Sequence, residues 1–385
     1  MLLAYNIGTK LAKLVLLVLP RHWCERIQRS HSDIKIYKYQ TQQVISKPRM
    51  TLFEAVTSTI LFDLALFGTN SWFINTFIRL FTKFQNSWDV PFRTPQQRET
   101  EILNFCSKLA IQTTPWIWSK PIEEYACLND FFARKYQPKY YIKDDDDDTV
   151  DKASSTIKVS SPACCIVTIY KNNDELRNIL IKNCNYTIEN IGLYPPHDIE
   201  NYSNHQVMIG YLSPSHYHRV HVPISGKIIH LQLECPTAYS ASVKFWNSTF
   251  NLLNCNKRLV VVIEQQQETT ESEGGDGRAR DQSIPLRVAL VIVGGVGVNT
   301  IVYNKNVLHQ QVTRGEEIAT FRAGGSAFAM FSNRELHYNP RLLQHALVED
   351  VIKGEGGSSM TSAGSGASNA QDDKLVELFV GESLS

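Results

Sequence analysis

Tyr211-Leu-Ser-Pro-Ser-His-Tyr-His-Arg-Val-His-Val-Pro-Ile-Ser-Gly226 places three histidines, His216, His218 and His221, within six residues and next to Arg219. Imidazole is the side chain best suited to moving protons near neutral pH. The flanking Val, Tyr, Ile and Pro residues suit a strand or strand edge. On a strand, His216 and His218 share one face and His221 takes the other. The cluster therefore need not be a single metal site, and it lacks the Cys or carboxylate companions that zinc spacing supplies. No metal is expected. On the residues alone, ordinary half-buried histidines are the default reading.

Downstream and just upstream the chain reads as short strands. From Ile157 onward β-branched runs recur at Ile157–Val159, Cys165–Tyr170, Val207–Leu212, Val220–Ile224, Lys227–Leu233, Arg258–Glu264, Leu286–Val293 and Asn299–Tyr303, with turn residues between them. They mark a β-rich domain over 157–350, with a polar surface insertion at 266–283. Further upstream, residues 1–140 look mostly helical. Thr94 to Thr113 reads as a helix beginning near Pro95, within a helical lead-in at 91–143. Asp144 to Asp148 is a run of aspartates that no core would bury, so 144–156 reads as a solvated linker. Gly354 to Asp373 is rich in Gly, Ser and Ala, and 351–385 is expected to be mostly disordered. The fold class is α+β.

Residues 1–90 carry a membrane signal. Lys10, Lys13 and Arg21 flank the apolar run Leu14 to Leu19, with no acid in residues 1–21. That run is short for a spanning helix, which needs roughly 20 apolar residues. Leu52 to Phe84 is apolar but interrupted by Glu54, Asp63, Gly68 and Asn70. It reads as two amphipathic helices, with Trp72, Arg79 and Lys83 suited to a membrane interface. A helical pair packed on the protein's own core is the competing reading. The net charge of +1 over 385 residues, with no long basic block, excludes a nucleic-acid partner. The eight cysteines contain no C-x-x-C pair, so reduced thiols are expected.

Tyr211-Leu-Ser-Pro-x-x-Tyr-His-Arg-x-His221 resembles the signature of the phosphatidylserine decarboxylases, membrane-bound enzymes that make phosphatidylethanolamine with a pyruvoyl group. Other segments are similar to the same family, in its order. They are Leu128-Asn-Asp-Phe-Phe-Ala-Arg-Lys135, Ser161-Pro-Ala-Cys-Cys165, Lys182 to Gly192, Leu252 to Arg258, and Arg314-Gly-Glu-Glu-Ile-Ala-Thr-Phe321 followed by Gly324-Gly-Ser326. The likeness covers roughly 120–350.

The resemblance implies a self-processing zymogen. The Ser326 hydroxyl attacks the carbonyl of Gly325 and the amide becomes an ester. Elimination and hydrolysis then leave a pyruvoyl group at the start of fragment 326–385. Decarboxylation needs such an electron sink, because no ordinary side chain delocalises a carbanion. The resemblance gives His221 the role of base for self-cleavage and His218 a role in proton transfer during decarboxylation. Tyr217 and Arg219 become candidates for substrate binding, and the basic residues Arg134, Lys135 and Arg219 are expected as contacts for lipid phosphate. His216 falls where the family tolerates other residues, so it is expected to be solvated.

The partners implied are phosphatidylserine, the bilayer, and the two cleavage fragments for each other. The location implied is a membrane, the mitochondrial inner membrane ahead of endomembranes. The departure is Cys164, which stands at the position of the aspartate expected to orient the base. Loss of such an aspartate in a serine–histidine system costs roughly ten-thousand-fold in rate. The alternative reading is a membrane-bound homologue that does not self-process because of Cys164.

Overall fold

The computed structural model describes residues 24, 33–48, 87–111, 118–140, 159–170, 178–181, 184–187, 202, 205–234, 257–265, 285–294, 301–322, 326–348, 376–378 and 384. The expectations for 1–21, 52–84, 144–156, 266–283 and 351–375 lie outside those residues, as does Gly325.

The central strands form where apolar residues run nearly without interruption, at Cys165–Tyr170, Arg258–Gln265, Leu286–Gly294 and Ser326–Ser332. β1 (Asp33–Lys38) and β2 (Gln43–Pro48) make an antiparallel hairpin. β3 (Cys165–Tyr170) follows, then β4 (Asn178–Ile181) and β5 (Cys184–Thr187), a hairpin by themselves. Next come β6 (Val207–Leu212), β7 (Arg219–His221), β8 (Gly226–Glu234), β9 (Arg258–Gln265) and β10 (Leu286–Gly294). The last group is β11 (Ile301–Tyr303), β12 (Gln311–Val312), β13 (Glu317–Phe321), β14 (Ser326–Ser332), β15 (Leu347–Val348) and β16 (Val376–Leu378).

Among the described residues the main sheet runs β12-β8-β9-β10-β14-β6-β3-β16-β1-β2, with β15 alongside β3, and a smaller sheet runs β11-β13-β7. Every residue of β3 and β14 is buried, as is nearly all of β10. Strands covered on both faces read as continuous apolar runs and not as alternation. Val-Ala-Leu-Val-Ile-Val in β10 is such a run. Leu259, Val261, Ile263, Val288, Leu290 and Ile292 join Val220, Val222, Phe321 and Phe328 in one core that ties the two sheets together.

α1 (Pro95–Leu109) starts as its sequence dictates. Thr94 caps it by accepting from the Gln97 amide, and Pro95 occupies the first turn, where a missing N–H costs nothing. It ends at Leu109, four residues short of the predicted Thr113, because Ala110 turns left-handed at φ 51°. α2 (Leu128–Phe132) packs Phe131 and Phe132 edge-on against Phe105 of α1. α3 (Pro340–Ala346) lies beside β3 and β16.

One expectation is corrected. Residues 33–48 are not helical: they form a hairpin whose β1 pairs in parallel with β16. Of the tail 351–385, residues 376–378 and 384 are described and packed into the fold. β16 lies between β3 and β1, and Val376, Leu378 and Leu384 are fully buried. No described helix is long and apolar enough to cross a membrane.

Candidate active site

The loop from β6 to β7 is set by its own composition. Ser213, Pro214, Ser215 and His216 close a turn, with the His216 amide donating to the Ser213 carbonyl at 2.9 Å and proline at the position whose φ suits it. The Ser213 amide donates to His216 Nδ1 at 3.1 Å. His216 Nε2 therefore carries the proton and donates to Glu377 Oε1 at 3.0 Å. This overturns the expectation of a solvated residue: His216 is 8% exposed and pinned to β16. Arg134, directly after α2, donates from Nη2 to the carbonyls of Ser215 and His216, at 3.1 Å each.

His218 is fully buried, with Phe132 packed against its ring at a centroid distance of 3.8 Å. Its Nδ1 lies 2.9 Å from the His216 carbonyl, which can only accept, so Nδ1 holds the proton. Nε2 is left as a buried lone pair without a partner. Burial, Arg134 and His216 together hold the pKa well below the ordinary histidine value, so the ring is neutral.

His221, the last residue of β7, is also neutral. Its Nδ1 donates to the Gly315 carbonyl at 2.7 Å, and Nε2 accepts from the Tyr217 hydroxyl at 3.0 Å. Burial lowers its pKa to about 4, against the raising effects of the Gly315 bond and Glu317. The orienting group expected at Cys164 is thus a peptide oxygen from the turn before β13. The Ser161–Cys165 segment does reach the site, since the Pro162 carbonyl accepts the His221 amide at 2.8 Å. Cys164 itself is buried against Tyr217, whose ring stacks on Tyr136. Cys164 and Cys165 are reduced.

Ser326 opens β14. It is fully buried, and among the described residues its Oγ has no hydrogen-bond partner. It pairs across the sheet with Leu212, the residue from which the histidine loop departs. From the other side, β13 runs against β7, and the Phe321 amide donates to the His218 carbonyl at 3.0 Å. Only residues 322–325 separate Phe321 from Ser326. The fold therefore brings Ser326 and the histidine loop to one end of two neighbouring strands.

Arg219 and Tyr217, the candidates for substrate binding, both have partners within the protein. Arg219 Nε and Nη2 donate to the Ala133 carbonyl at 2.9 and 2.6 Å, and Nη1 pairs with Glu317 and Thr320. Its donors are spent on joining α2 to β7 and β13. The Tyr217 hydroxyl is spent on His221. Glu317, held below the ordinary carboxylate range by Arg219 and Lys135 against the opposing effect of burial, is the acid whose charge favours protonation of His221.

Sequence reasoning did not find Gly315, Glu377 or Glu317. Gly315 contributes a backbone carbonyl, which no residue type announces. Glu377 had a weak signal, the return of apolar residues in Leu375-Val-Glu-Leu-Phe-Val380 after the low-complexity tract.

The family model for phosphatidylserine decarboxylase matches residues 128–349, more than half of the chain. Phosphatidylserine decarboxylase proenzyme 2 of Komagataella phaffii is 25% identical over 237 residues, covering 60% of this chain and 21% of that protein. The proenzyme of Fusobacterium nucleatum is 26% identical over 244 residues, covering 63% and 71%. That of Bacillus thuringiensis is 27% identical over 214 residues, covering 55% and 70%. The match thus spans only about a fifth of the yeast relative but over two thirds of the bacterial ones. The matched region contains α2, Arg134, both site histidines, Gly315 and Ser326. The chain belongs to the phosphatidylserine decarboxylase family.

Proposed function

We propose that this chain is a phosphatidylserine decarboxylase that makes its pyruvoyl group from its own Ser326. The observation that carries the reading is a pair of idle buried atoms. Ser326 Oγ and His218 Nε2 lack partners, beside two histidines held neutral in fixed tautomers. Leaving a buried polar atom unsatisfied costs about 1–3 kcal/mol, a cost typical of a site built for chemistry.

The residues fit the group. Ser326 is the required precursor, fully buried and without a bond that would compete for its hydroxyl. In self-cleavage its proton passes to His221 Nε2 by way of the Tyr217 hydroxyl. The Ser326 oxygen bonds to the Gly325 carbonyl carbon as the peptide C–N bond breaks, and the freed Ser326 nitrogen takes up the proton that His221 accepted. Gly315 keeps His221 Nε2 free of its own proton for this step. A carbonyl carries no full charge, so it stabilises the imidazolium less than an aspartate does. Processing is accordingly slow, which a reaction run once per molecule tolerates. When formed, the pyruvoyl group supplies the sink for the electron pair left by departing CO2. His218 moves protons through Nε2, the face that Nδ1 and the His216 carbonyl leave open. Attachment to a bilayer through residues 1–21 and 52–84, in the mitochondrial inner membrane, belongs to the same proposal because the substrate is a lipid.

Denaturing electrophoresis tests the reading. We expect two fragments, 1–325 and 326–385, one uncut band for Ser326→Ala, a pyruvoyl mass at the start of the small fragment, and CO2 from phosphatidylserine. Cys164 favours one rival, a relative that cannot process itself. A wild-type chain that stays whole and releases no CO2 would establish that rival.

A further inference from the structure

Among the described residues, Arg134 is a buried cation without a counter-charge. It is 1% exposed. Nη2 is used on the Ser215 and His216 carbonyls, and the guanidinium also reaches the Tyr136 hydroxyl, while Nε and Nη1 have no well-formed hydrogen bond among the described residues. Among the described residues no carboxylate pairs with it. The acids of the site are engaged elsewhere, Glu317 with Arg219 and Lys135, and Glu377 with His216 and Lys38.

The groups that feel its charge are neutral. Burial pushes the Cys106 thiol up to about 11 and raises the Tyr136 phenol, with Arg134 opposing both, at Tyr136 through its charge and a side-chain hydrogen bond to the neutral hydroxyl. Phe131 and Tyr136 offer their rings, at 5.3 and 5.8 Å from the guanidinium carbon. Ring faces attract a cation but do not satisfy its N–H groups. An unpaired ion in dry protein is costly to keep. The same guanidinium depresses the His218 pKa, so an anion bound to it lies within electrostatic reach of the site.

We propose that Arg134 binds the phosphodiester of the serine phospholipid headgroup through Nε and Nη1. The inference rests on the proposed function and assigns its substrate contact. The headgroup offers a second anion, the serine carboxylate, but that group must lose its charge as CO2. A cation paired with it would stabilise the ground state more than the transition state and slow the reaction. The phosphodiester keeps its charge from substrate through product. Holding it supplies binding energy from a part of the substrate that does not react.

The test uses the full chain carrying Ser326→Ala, which stays uncut, with Arg134→Met or Arg134→Lys added. Calorimetry measures binding of glycerophosphoserine and of glycerophosphoethanolamine, which lacks the carboxylate. We expect both to bind the uncut chain with affinities within a few-fold of each other. Both should weaken at least tenfold in Arg134→Met and less in Arg134→Lys. Weakening of glycerophosphoserine alone would assign Arg134 to the carboxylate and overturn the proposal. So would unchanged affinities in a variant whose melting temperature shows it folded. Should Arg134→Met fail to fold, the uncut chain decides alone: glycerophosphoethanolamine must bind and sulfate must compete, and absence of either overturns the proposal. A wild-type chain that never cleaves would sink the proposed function and leave these binding results standing.

Discussion

His221 takes its tautomer from a peptide oxygen, and that has consequences that titration can read. Its folded pKa is about 4, whereas a free histidine titrates near 6.5. Between those pH values the unfolded chain binds a proton that the folded chain does not. Stability therefore rises with pH over that window and is lost as pH falls through it. The contribution of this one group is on the order of 3 kcal/mol. Denaturant unfolding of the uncut Ser326→Ala chain at pH 7 and pH 4.5 should show a loss larger than this, because buried neutral His218 adds to it in the same direction, and His221→Gln should remove only the His221 share. In the processing chain, His221→Gln should leave a folded protein that runs as one band on a denaturing gel. Fragments appearing at the wild-type rate would remove His221 from the reaction.

At the scale of elements, two strand contacts decide how well the site is held. Gly210 of β6 faces Phe328 of β14, and a Cβ there would sit 2.2 Å from the Phe328 ring. The ring is fully buried and has nowhere to move. Gly210→Ala should cost about 1–3 kcal/mol, read as a lower denaturation midpoint at unchanged slope. β16 supplies the second contact. Glu377→Ala would leave the buried His216 N–H unpaired, at a cost of about 1–3 kcal/mol, and would loosen the loop that carries His218. We expect decarboxylation to slow through kcat more than through KM. Glu377→Gln, whose side-chain oxygen still accepts, should restore most of it. Equal rates in Glu377→Ala and Glu377→Gln would show that the pair positions nothing.

Across the whole molecule, the proposed cut separates strands that the sheet interleaves. β14 lies between β10 and β6, and β16 between β3 and β1. Fragment 326–385 would thus be hydrogen-bonded on both sides at two places in fragment 1–325. The fragments should co-elute on native size exclusion and separate only in denaturant. Their separation under native conditions would mean that this strand order does not outlast the cut.

The two kinds of information divide along the same lines. The runs at Cys165–Tyr170 and Val207–Leu212 appear as strands with those very limits, because burial on both faces writes itself as unbroken apolar sequence. Thr94 and Pro95 announced the start of α1 for an equally local reason. His218, His221 and Ser326 could be singled out because they stand in short motifs of distinctive side chains, and the fold brings the histidine loop and Ser326 to one end of β6 and β14. The carbonyl of Gly315 and the carboxylate of Glu377 could not be. A peptide oxygen is the same in every residue, and Glu377 meets a histidine 161 positions away. Nor could the sequence say that Arg219 would be consumed by its neighbours while Arg134 stayed unmatched. Local pattern fixes which segments are buried and how they begin and end. Which buried polar groups satisfy one another depends on strand order and register between distant segments, and only the folded chain sets those.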